Sequence, residues 1–305
     1  MRTLLRLSPG MGWTMDSVSI IDSADVSRAV SALYRRINTE LRPDVLAAIE
    51  QAMVREESDL AREILAALLE NERISRAEGV PLCQDTGLAV VFVSIGREVV
   101  VTGGTLQDAI DEGVREATRE HPLRASTVTD PLARANPGDN APAVVHLEQV
   151  DGGELTIRLM AKGGGAENMG RLHMLPPSQG GEGVVRAVVE TVREAGANAC
   201  PPVIVGVGIG GDFETAPLLA KRALFRDLRR ANPEPGLAEL EAQILEQVNA
   251  LGVGPQGLGG RTTALGVLVE RAPCHIASLP VAVNLACHSH RHGSVTLRGE
   301  RRNLV

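Results

Sequence analysis

Aromatic residues are almost missing from this chain of 305 residues, which has one Trp, one Tyr and three Phe. The core of such a chain must therefore be built from Leu, Val, Ile and Ala, a composition that suits an α/β protein. A chain of this length can bury a sizeable core, either as one large domain or as two ordinary ones. Crosslinks are not needed to stabilise it.

Cysteine, net positive charge and long apolar runs are also scarce. Four irregularly spaced Cys do not form the pattern of a secreted disulfide framework, and they favour a reducing cytoplasm. Lys and Arg number 31 against 38 Asp and Glu, a net charge of −7, and no basic run is interleaved with aromatics, so no nucleic-acid partner is expected. No segment approaches the ~20 apolar residues of a membrane span, so no membrane partner is expected either.

The chain divides by pattern into three stretches. Residues 1–24 carry neither a signal-peptide core nor a cleavage site, and we expect a poorly ordered leader there. Residues 25–78 show apolar side chains at helical spacing, which predicts a helical block. From about residue 79 to 305, glycine-bounded apolar runs alternate with helical patterns. The expected fold is therefore mixed α/β (α+β), with the helical block followed by mixed β-sheets flanked by helices.

Strands are predicted where apolar, β-branched runs are bounded by turn residues. Residues 88–95 form one such run and predict a buried strand. Residues 143–147 and 155–160 form two more, joined at Asp151-Gly152-Gly153, and predict a β-hairpin. Cysteines at positions 83, 200 and 287 fall on loops next to predicted strands, where scaffolds commonly place functional residues.

These three cysteines lie in neighbourhoods that packing alone would not require: Cys83 before Gln-Asp-Thr-Gly, Cys200 before Pro-Pro, and Cys287 before His-Ser-His. Taken singly, a buried Cys is more often a small apolar residue than a ligand. As a set, three thiolates are one fewer than the usual ligands of a four-iron, four-sulfur cluster. Such a set would leave one iron open as a Lewis acid.

Other Cys and His residues leave alternatives open. Cys274 is interpreted as structural, although it could be a fourth ligand. The remaining candidates invite a zinc site, because Cys and His at short spacing can form one: His275, His288, His290 and His292. An extended segment with alternate imidazoles on a solvated or interface face explains the last three as well.

Glycine runs and two charged residues complete the candidates. Lys162 followed by Gly163-Gly164-Gly165 is either a turn or a place where a carboxylate meets main-chain N–H groups. Residues 206–211 satisfy G-x-G-x-x-G, but no second strand ending in an acid follows, so a nicotinamide site is not expected. Asp85 could simply cap its loop, and Arg124 could be a surface cation near a helix end.

Read together, many segments in order resemble the class I iron-sulfur fumarases and the related L-tartrate dehydratases, and the resemblance covers the chain from about residue 25. The segments are residues 81–87, 123–124, 140–142, 161–165, 199–202, 206–211, 251–256, 275–280 and Arg291 just after Cys287.

The resemblance implies a [4Fe-4S] cluster held by Cys83, Cys200 and Cys287, with one iron free of Cys and open to the substrate. It implies that a dicarboxylate pocket is lined by residues matching the family positions: Gln84, Asp85, Arg124, Gly165 and His275. Asp85 and Gln84 are the expected catalytic residues, and Arg124 would pair with one carboxylate.

Single-chain members continue for roughly another domain, whereas this sequence stops at Val305. The resemblance therefore implies the α subunit of a hydro-lyase, with residues 25–305 as its catalytic domain, a separate β subunit and association through the α chain. Hydration of fumarate to L-malate is the first expectation, and L(+)-tartrate dehydration is the alternative. From a different class, a non-catalytic iron-sulfur module for redox or sensing is also considered.

Overall fold

The computed structural model describes residues 17–303, and it confirms the mixed α/β class. The helices are α1 (Ser23–Thr39), α2 (Pro43–Arg55), α3 (Asp59–Glu78), α4 (Leu106–Glu120), α5 (Gly164–Glu167), α6 (Gly180–Ala195), α7 (Thr215–Ala223) and α8 (Pro235–Asn249). The strands are β1 (Ser17–Asp22), β2 (Leu88–Gly96), β3 (Val99–Thr102), β4 (Val144–Val150), β5 (Glu154–Lys162), β6 (Arg171–Leu175), β7 (Val203–Gly211), β8 (Ala264–Cys274), β9 (Leu279–Ala286), β10 (Arg291–Arg298) and β11 (Glu300–Asn303).

The helical block expected at residues 25–78 is confirmed as α1, α2 and α3. Asp22 caps α1 by accepting the Ala24 N–H at 2.8 Å, and Ser58 caps α3 in the same way. Gly79 ends α3 in the left-handed conformation that favours glycine. The block therefore ends just before the loop that carries Cys83.

The start of the chain corrects the expected boundary at residue 24. Residues 17–24 form strand β1 and the first turn of α1, and Val18 and Ile21 are buried. β1 pairs in parallel with β3 and antiparallel with β11. Because both partners come from distant parts of the chain, a short local pattern could not reveal this strand. The rest of the expected leader, residues 1–16, lies outside the described residues.

The hairpin predicted for residues 143–160 is wrong. Both strands exist, but β2 lies between them in a sheet ordered β10-β5-β2-β4. Phe92 of β2 stands opposite His146 of β4 in a parallel pair and opposite Arg158 of β5 in an antiparallel pair. β2 is the most continuously buried of the three strands, and burial on both faces favours the central position.

A second four-stranded sheet, ordered β6-β9-β7-β8, carries the G-x-G-x-x-G segment on β7. A side chain at Gly206 would overlap the carbonyl oxygen of Ala220, and one at Gly208 would overlap that of Ala216. These glycines let α7 pack directly against β7. Close helix packing therefore explains the motif, in agreement with the sequence argument against a nicotinamide site.

The three larger apolar clusters among residues 17–303 hold the layers together. One lies between α1, α4 and the β10-β5-β2-β4 sheet, and another between α6, α8 and the β6-β9-β7-β8 sheet. The third joins α2 and α3 to both sheets, with Met160, Ile204 and Ala286 among its buried members. No helix between residues 17 and 303 is both long enough and apolar enough to cross a bilayer.

Candidate active site

The three candidate cysteines lie on three loops. Cys83 lies between α3 and β2, Cys200 lies just before β7, and Cys287 directly follows β9. β7 and β9 are antiparallel, with Ile204 opposite Ala286, so Cys200 and Cys287 lie at the same end of their sheet. All three thiols are half-buried and none is in a disulfide.

His288 ties the Cys200 turn to the Cys287 segment. Its backbone N–H donates to the Cys200 carbonyl at 3.3 Å, and its Nδ1 lies 3.1 Å from the same oxygen. Gln256 approaches from a third loop, with its Nε2 3.0 Å from His288 Nδ1 and 2.9 Å from the Pro201 carbonyl oxygen. Burial lowers the pKa of His288, so the ring is neutral near pH 7.

Cys200 has a left-handed backbone, with φ 53° and ψ 63°. A residue other than Gly or Asn pays about 1 kcal/mol or more in this region, so the surrounding contacts must hold it. Burial raises the pKa of the Cys200 thiol, and the negative charges of Cys287, Cys83 and Asp85 raise it further. Cys83 and Cys287 therefore lie within electrostatic reach of Cys200, and a bound cation would favour the thiolate forms.

The Asp85 carboxylate joins three loops. Its Oδ1 accepts hydrogen bonds from the Gly87 N–H at 2.9 Å and from the Ser126 hydroxyl at 3.0 Å. Its Oδ2 accepts from the Gly164 N–H at 2.7 Å. The Asx-type cap considered for Asp85 is present, but the side chain reaches well beyond its own loop. Both oxygens are engaged, which suits a positioning group.

Arg124 and Gln84 stand at the surface of this cluster of loops. The Arg124 N–H donates to the Thr86 hydroxyl at 2.8 Å, which fixes the backbone. The Arg124 side chain is exposed, and no hydrogen bond or ion pair in the described part of the chain uses its guanidinium. Gln84 is also exposed, and its Oε1 accepts from the Cys83 thiol at 2.9 Å. The backbone of Arg124 thus contacts the loop that carries Cys83, and its unpaired guanidinium can bind an anion.

The glycine run after β5 lies against two of the cysteine loops. A side chain at Gly87 would overlap the carbonyl of Lys162, and a Cβ at Gly165 would lie 3.1 Å from the Asn198 carbonyl oxygen, two residues before Cys200. The structure therefore brings Gln84, Asp85, Arg124 and Gly165 into the same neighbourhood as the three cysteines.

Sequence reasoning gave no role to the buried side chain of Arg291. Only 2% of this residue is exposed, and its Nη1 donates to the Asp85 carbonyl at 2.7 Å and to Asn38 Oδ1 at 3.1 Å. The Arg291 side chain therefore fixes the backbone of the Asp85 loop. The sequence feature that could have indicated this role is the position of Arg291 in the segment just after Cys287.

Asn140 was also missed as a positioning residue, although its segment belonged to the family resemblance. Its buried Nδ2 donates to the Tyr34 hydroxyl at 2.8 Å and to the Gly87 carbonyl at 3.0 Å. Its Oδ1 accepts from the backbone N–H groups of Ser126 and Thr127. One amide thus fixes the Arg124 loop relative to the loop of Cys83 and Asp85.

Known proteins resemble this chain in sequence. The family model described as Fumarate hydratase (Fumerase) matches residues 27–296, which include all three cysteines and the loops around them. The chain belongs to this family.

Relatives with similar sequences cover almost the whole chain. A Methanocaldococcus jannaschii protein, provisionally named L(+)-tartrate dehydratase subunit alpha, is 41% identical over 272 residues, 87% of this chain and 95% of the relative. Proteins named L(+)-tartrate dehydratase subunit alpha from Escherichia coli K12 and Shigella boydii serotype 4 are each 36% identical over 278 residues, 90% of this chain and 91% of the relative.

The donor set fits the cluster that the resemblance to the fumarate hydratase family implies. Within residues 17–303, no three His, Cys, Asp or Glu side chains lie close enough together to hold one metal ion. A four-iron cluster requires a different arrangement of ligands, because each Cys binds a different iron and the Cys residues surround the cluster. Three free, half-buried thiols on separate loops, two of them within electrostatic reach of Cys200, are compatible with that arrangement.

His275 is the one expected pocket residue of the fumarate hydratase family that the structure does not bring to this site. It lies on the exposed turn between β8 and β9, next to exposed Cys274. Cys287 lies at the other end of β9, and the eight residues of that strand separate the two ends by roughly 25 Å. His275 therefore cannot share a pocket with the cysteines of its own chain.

The interpretation of His290 and His292 as a solvated face is wrong. Both are buried, at 4% and 2% exposure, and their ring centroids lie 4.3 Å apart. His290 Nε2 lies 2.8 Å from the Leu224 carbonyl oxygen. Burial lowers the pKa of His290 to about 4, so the ring is neutral and serves packing.

Proposed function

We propose that this chain is the cluster-bearing α subunit of an iron-sulfur hydro-lyase that acts on a C4 dicarboxylate. The observation that carries the proposal is that the loops of Cys83, Cys200 and Cys287 are joined to one another through His288, Asp85 and the glycine run. The adjoining Arg124 loop carries a guanidinium that has no partner among the described residues. Membership of the fumarate hydratase family and the names of the relatives support the same reaction class.

Cys83, Cys200 and Cys287 would hold a [4Fe-4S] cluster with one iron free of cysteine. When bound, such a cluster supplies a Lewis acid that polarises the C–O bond to be broken. The donor set contains no nearby fourth cysteine, since Cys274 lies at the far end of the sheet on an exposed segment.

The protein's own groups bind and orient the substrate. Arg124 presents a free fork of N–H donors that matches one carboxylate. Gln84 stands exposed beside Cys83, where its amide can reach a substrate hydroxyl or carboxylate. Gly165 lacks a side chain, which lets the glycine run approach the Asn198 carbonyl next to the Cys200 turn.

Asp85 acts in this proposal by holding the site together. Its two oxygens accept three hydrogen bonds from protein groups, so both oxygens are already engaged by the loops around it. The group that removes the substrate proton then belongs elsewhere, and the proposed β subunit is the source we favour.

Two alternative substrates are proposed. The names of the relatives support L(+)-tartrate as the first compound to test, and the family description supports fumarate and L-malate as the second. The candidates share two carboxylates on a four-carbon chain, which Arg124 alone cannot distinguish. Selectivity then depends on whether the second hydroxyl of tartrate finds a partner.

Two protein partners of this chain are proposed. One is a β subunit, as the designation α in the relatives' names suggests, and the other is a second α copy. If His275 serves a substrate pocket, as the resemblance implies, that pocket must belong to the other copy, because its own cysteines lie roughly 25 Å away.

The deciding experiment assays the anaerobically purified chain, with and without a co-expressed β subunit, against fumarate, L-malate and both tartrate enantiomers. We expect iron and sulfide in the chain, activity only with the β subunit, and an EPR signal of the reduced cluster that changes on substrate addition. A loaded cluster with no substrate-dependent change would support the redox or sensing alternative. Zinc without sulfide would overturn both.

A further inference from the structure

Lys162 carries a buried ammonium group close to the segments that precede Cys287 and follow Cys83. Only 3% of the side chain is exposed, although the residue ends β5 and leads into the glycine run. Its Nζ donates to the Leu285 carbonyl at 2.5 Å and lies 3.0 Å from Glu167 Oε2. Burying an ammonium is costly unless it is paired and hydrogen-bonded, so this placement needs a reason.

The contacts of Lys162 lead to two of the three cysteines. Leu285 is two residues before Cys287 on β9, so the ammonium holds the strand end from which that cysteine projects. The Lys162 backbone lies against Gly87, four residues after Cys83. Burial lowers the pKa of the Lys162 ammonium, whereas the negative charges of Glu167 and, more weakly, of a Cys287 thiolate favour its charged form.

Glu167 has a second cation on its other side. Lys221 pairs with Oε1, and the Asn284 Nδ2 donates to Oε2 at 3.0 Å. Burial opposes ionisation, but the charges of Lys162 and Lys221 outweigh it and hold the pKa of Glu167 at about 2. Two cations thus share one carboxylate, and the group keeps a net positive charge.

The two lysines differ in what else they face. Lys221 lines an open cleft of about 250 Å³ together with Glu167 and Asn284. Lys162 instead points inward to the carbonyl next to the Cys287 segment. Glu167 alone would be satisfied by Lys221 and Asn284, so the buried lysine is not needed to neutralise it.

We propose that Lys162 is a positioning residue for the cluster: it anchors the strand end before Cys287 and supplies a fixed buried positive charge beside the cysteine ligands. This inference rests on the proposed function. Net charge and hydrogen bonding around a cluster set its reduction potential, and a nearby cation favours the reduced form. Groups that hold the ligands typically change metal affinity by about 10- to 100-fold when removed.

The test compares Lys162→Met with Lys221→Met, a matched pair that each removes one cation from Glu167. Both variants are reconstituted anaerobically as the full chain with the β subunit, and the midpoint potential and the rate of iron loss to a chelator are measured. In Lys162→Met, the potential should become more negative and iron loss should be faster by roughly tenfold or more. Lys221→Met should match the wild type in both.

Two further variants keep the test decisive. Lys162→Arg retains the charge and should restore most of the wild-type potential. Lys162→Gln retains a donor for Leu285 without charge, and its potential decides the matter if Lys162→Met does not fold. Equal potentials and iron-loss rates in wild type, Lys162→Gln and Lys221→Met would overturn the inference. Failure of the wild type to bind iron and sulfide would instead overturn the proposed function.

Discussion

The Asp85 carboxylate accepts a hydrogen bond from the Gly164 backbone N–H at 2.7 Å, which joins the Cys83 loop to the glycine run after β5. The same side chain accepts the Ser126 hydroxyl at 3.0 Å, so the Arg124 loop is held as well. Hydrogen bonds to an ionised acceptor are about twice as strong as neutral ones. One carboxylate therefore sets the relative position of three loops.

Replacement of this acceptor should impair turnover more than cluster loading. In Asp85→Asn, the amide nitrogen replaces one of the two acceptor oxygens, so either the Gly164 N–H or the Gly87 and Ser126 donors lose their acceptor. We expect kcat to fall by about 10- to 100-fold with iron and sulfide contents retained. Initial rates of the α–β complex at saturating substrate measure this. Ser126→Ala removes one donor and keeps the charge, and its kcat should fall less. Wild-type kcat in Asp85→Asn would contradict the positioning role.

Variants of the proposed ligand cysteines should differ in iron content from a variant of Cys274. Cys200→Ser removes a proposed ligand and should abolish the iron and sulfide of the anaerobically reconstituted chain. Cys274→Ser is the matched control, because this thiol is exposed and donates a hydrogen bond to the Ser278 carbonyl, at 3.3 Å, on the β8–β9 turn. Loss of iron in the Cys274 variant would refute the ligand assignment.

Arg291 should contribute measurably to stability. Arg291→Met leaves the Asp85 carbonyl and the Asn38 side chain without their donor, and we expect the free energy of unfolding to fall by about 3 kcal/mol. Urea unfolding of the full chain measures it. Arg298→Met, which breaks the exposed pair with Glu154, should change the free energy by less than about 1 kcal/mol. Equal effects of the two variants would argue against a supporting role for the buried guanidinium.

Acid sensitivity should trace in part to His290. The unfolded ring protonates near its ordinary pKa of 6.5, whereas the folded ring stays neutral down to about 4. Between these values the unfolded state binds more protons, so the free energy of unfolding falls as pH drops from 6.5 to 4, by up to about 3 kcal/mol. His290→Gln should flatten this dependence in urea titrations. Exposed His275→Gln should leave it unchanged, and an unaltered slope in His290→Gln would exclude this origin.

The location of His275 predicts complementation between copies. A chain with His275→Ala and a chain with Cys200→Ser should each be nearly inactive alone. Co-expressed with separate tags and purified as the mixed α pair with the β subunit, they should recover about half of the wild-type activity, because the intact cysteines of one copy meet the His275 of the other. Absence of recovery would show that His275 does not serve a second copy's site.

The sequence predicted those parts of the fold that local interactions dictate. Thr105, for example, caps α4 by accepting the N–H of Asp108, three residues further along the chain, at 3.1 Å. The helical block follows from apolar periodicity and from caps such as Ser58. The position of β4 and β5 on either side of β2 could not be predicted this way, because strand order depends on which faces become buried. β1 was missed for the same reason, since both its partners lie far along the chain.

For the candidate site, the sequence by itself determined the residue types: three cysteines in unusual neighbourhoods, the Lys-Gly-Gly-Gly run, and Asp85 and Arg124 in segments resembling one family. Tertiary structure alone decided their relations. It set Asp85 across three loops, buried Lys162 between Glu167 and Leu285, and separated His275 from the cysteines by the length of β9. A sequence motif shows which chemical groups are available. What each group can do depends on its distance from the others and on its burial, and both are set only when strands from distant segments pair.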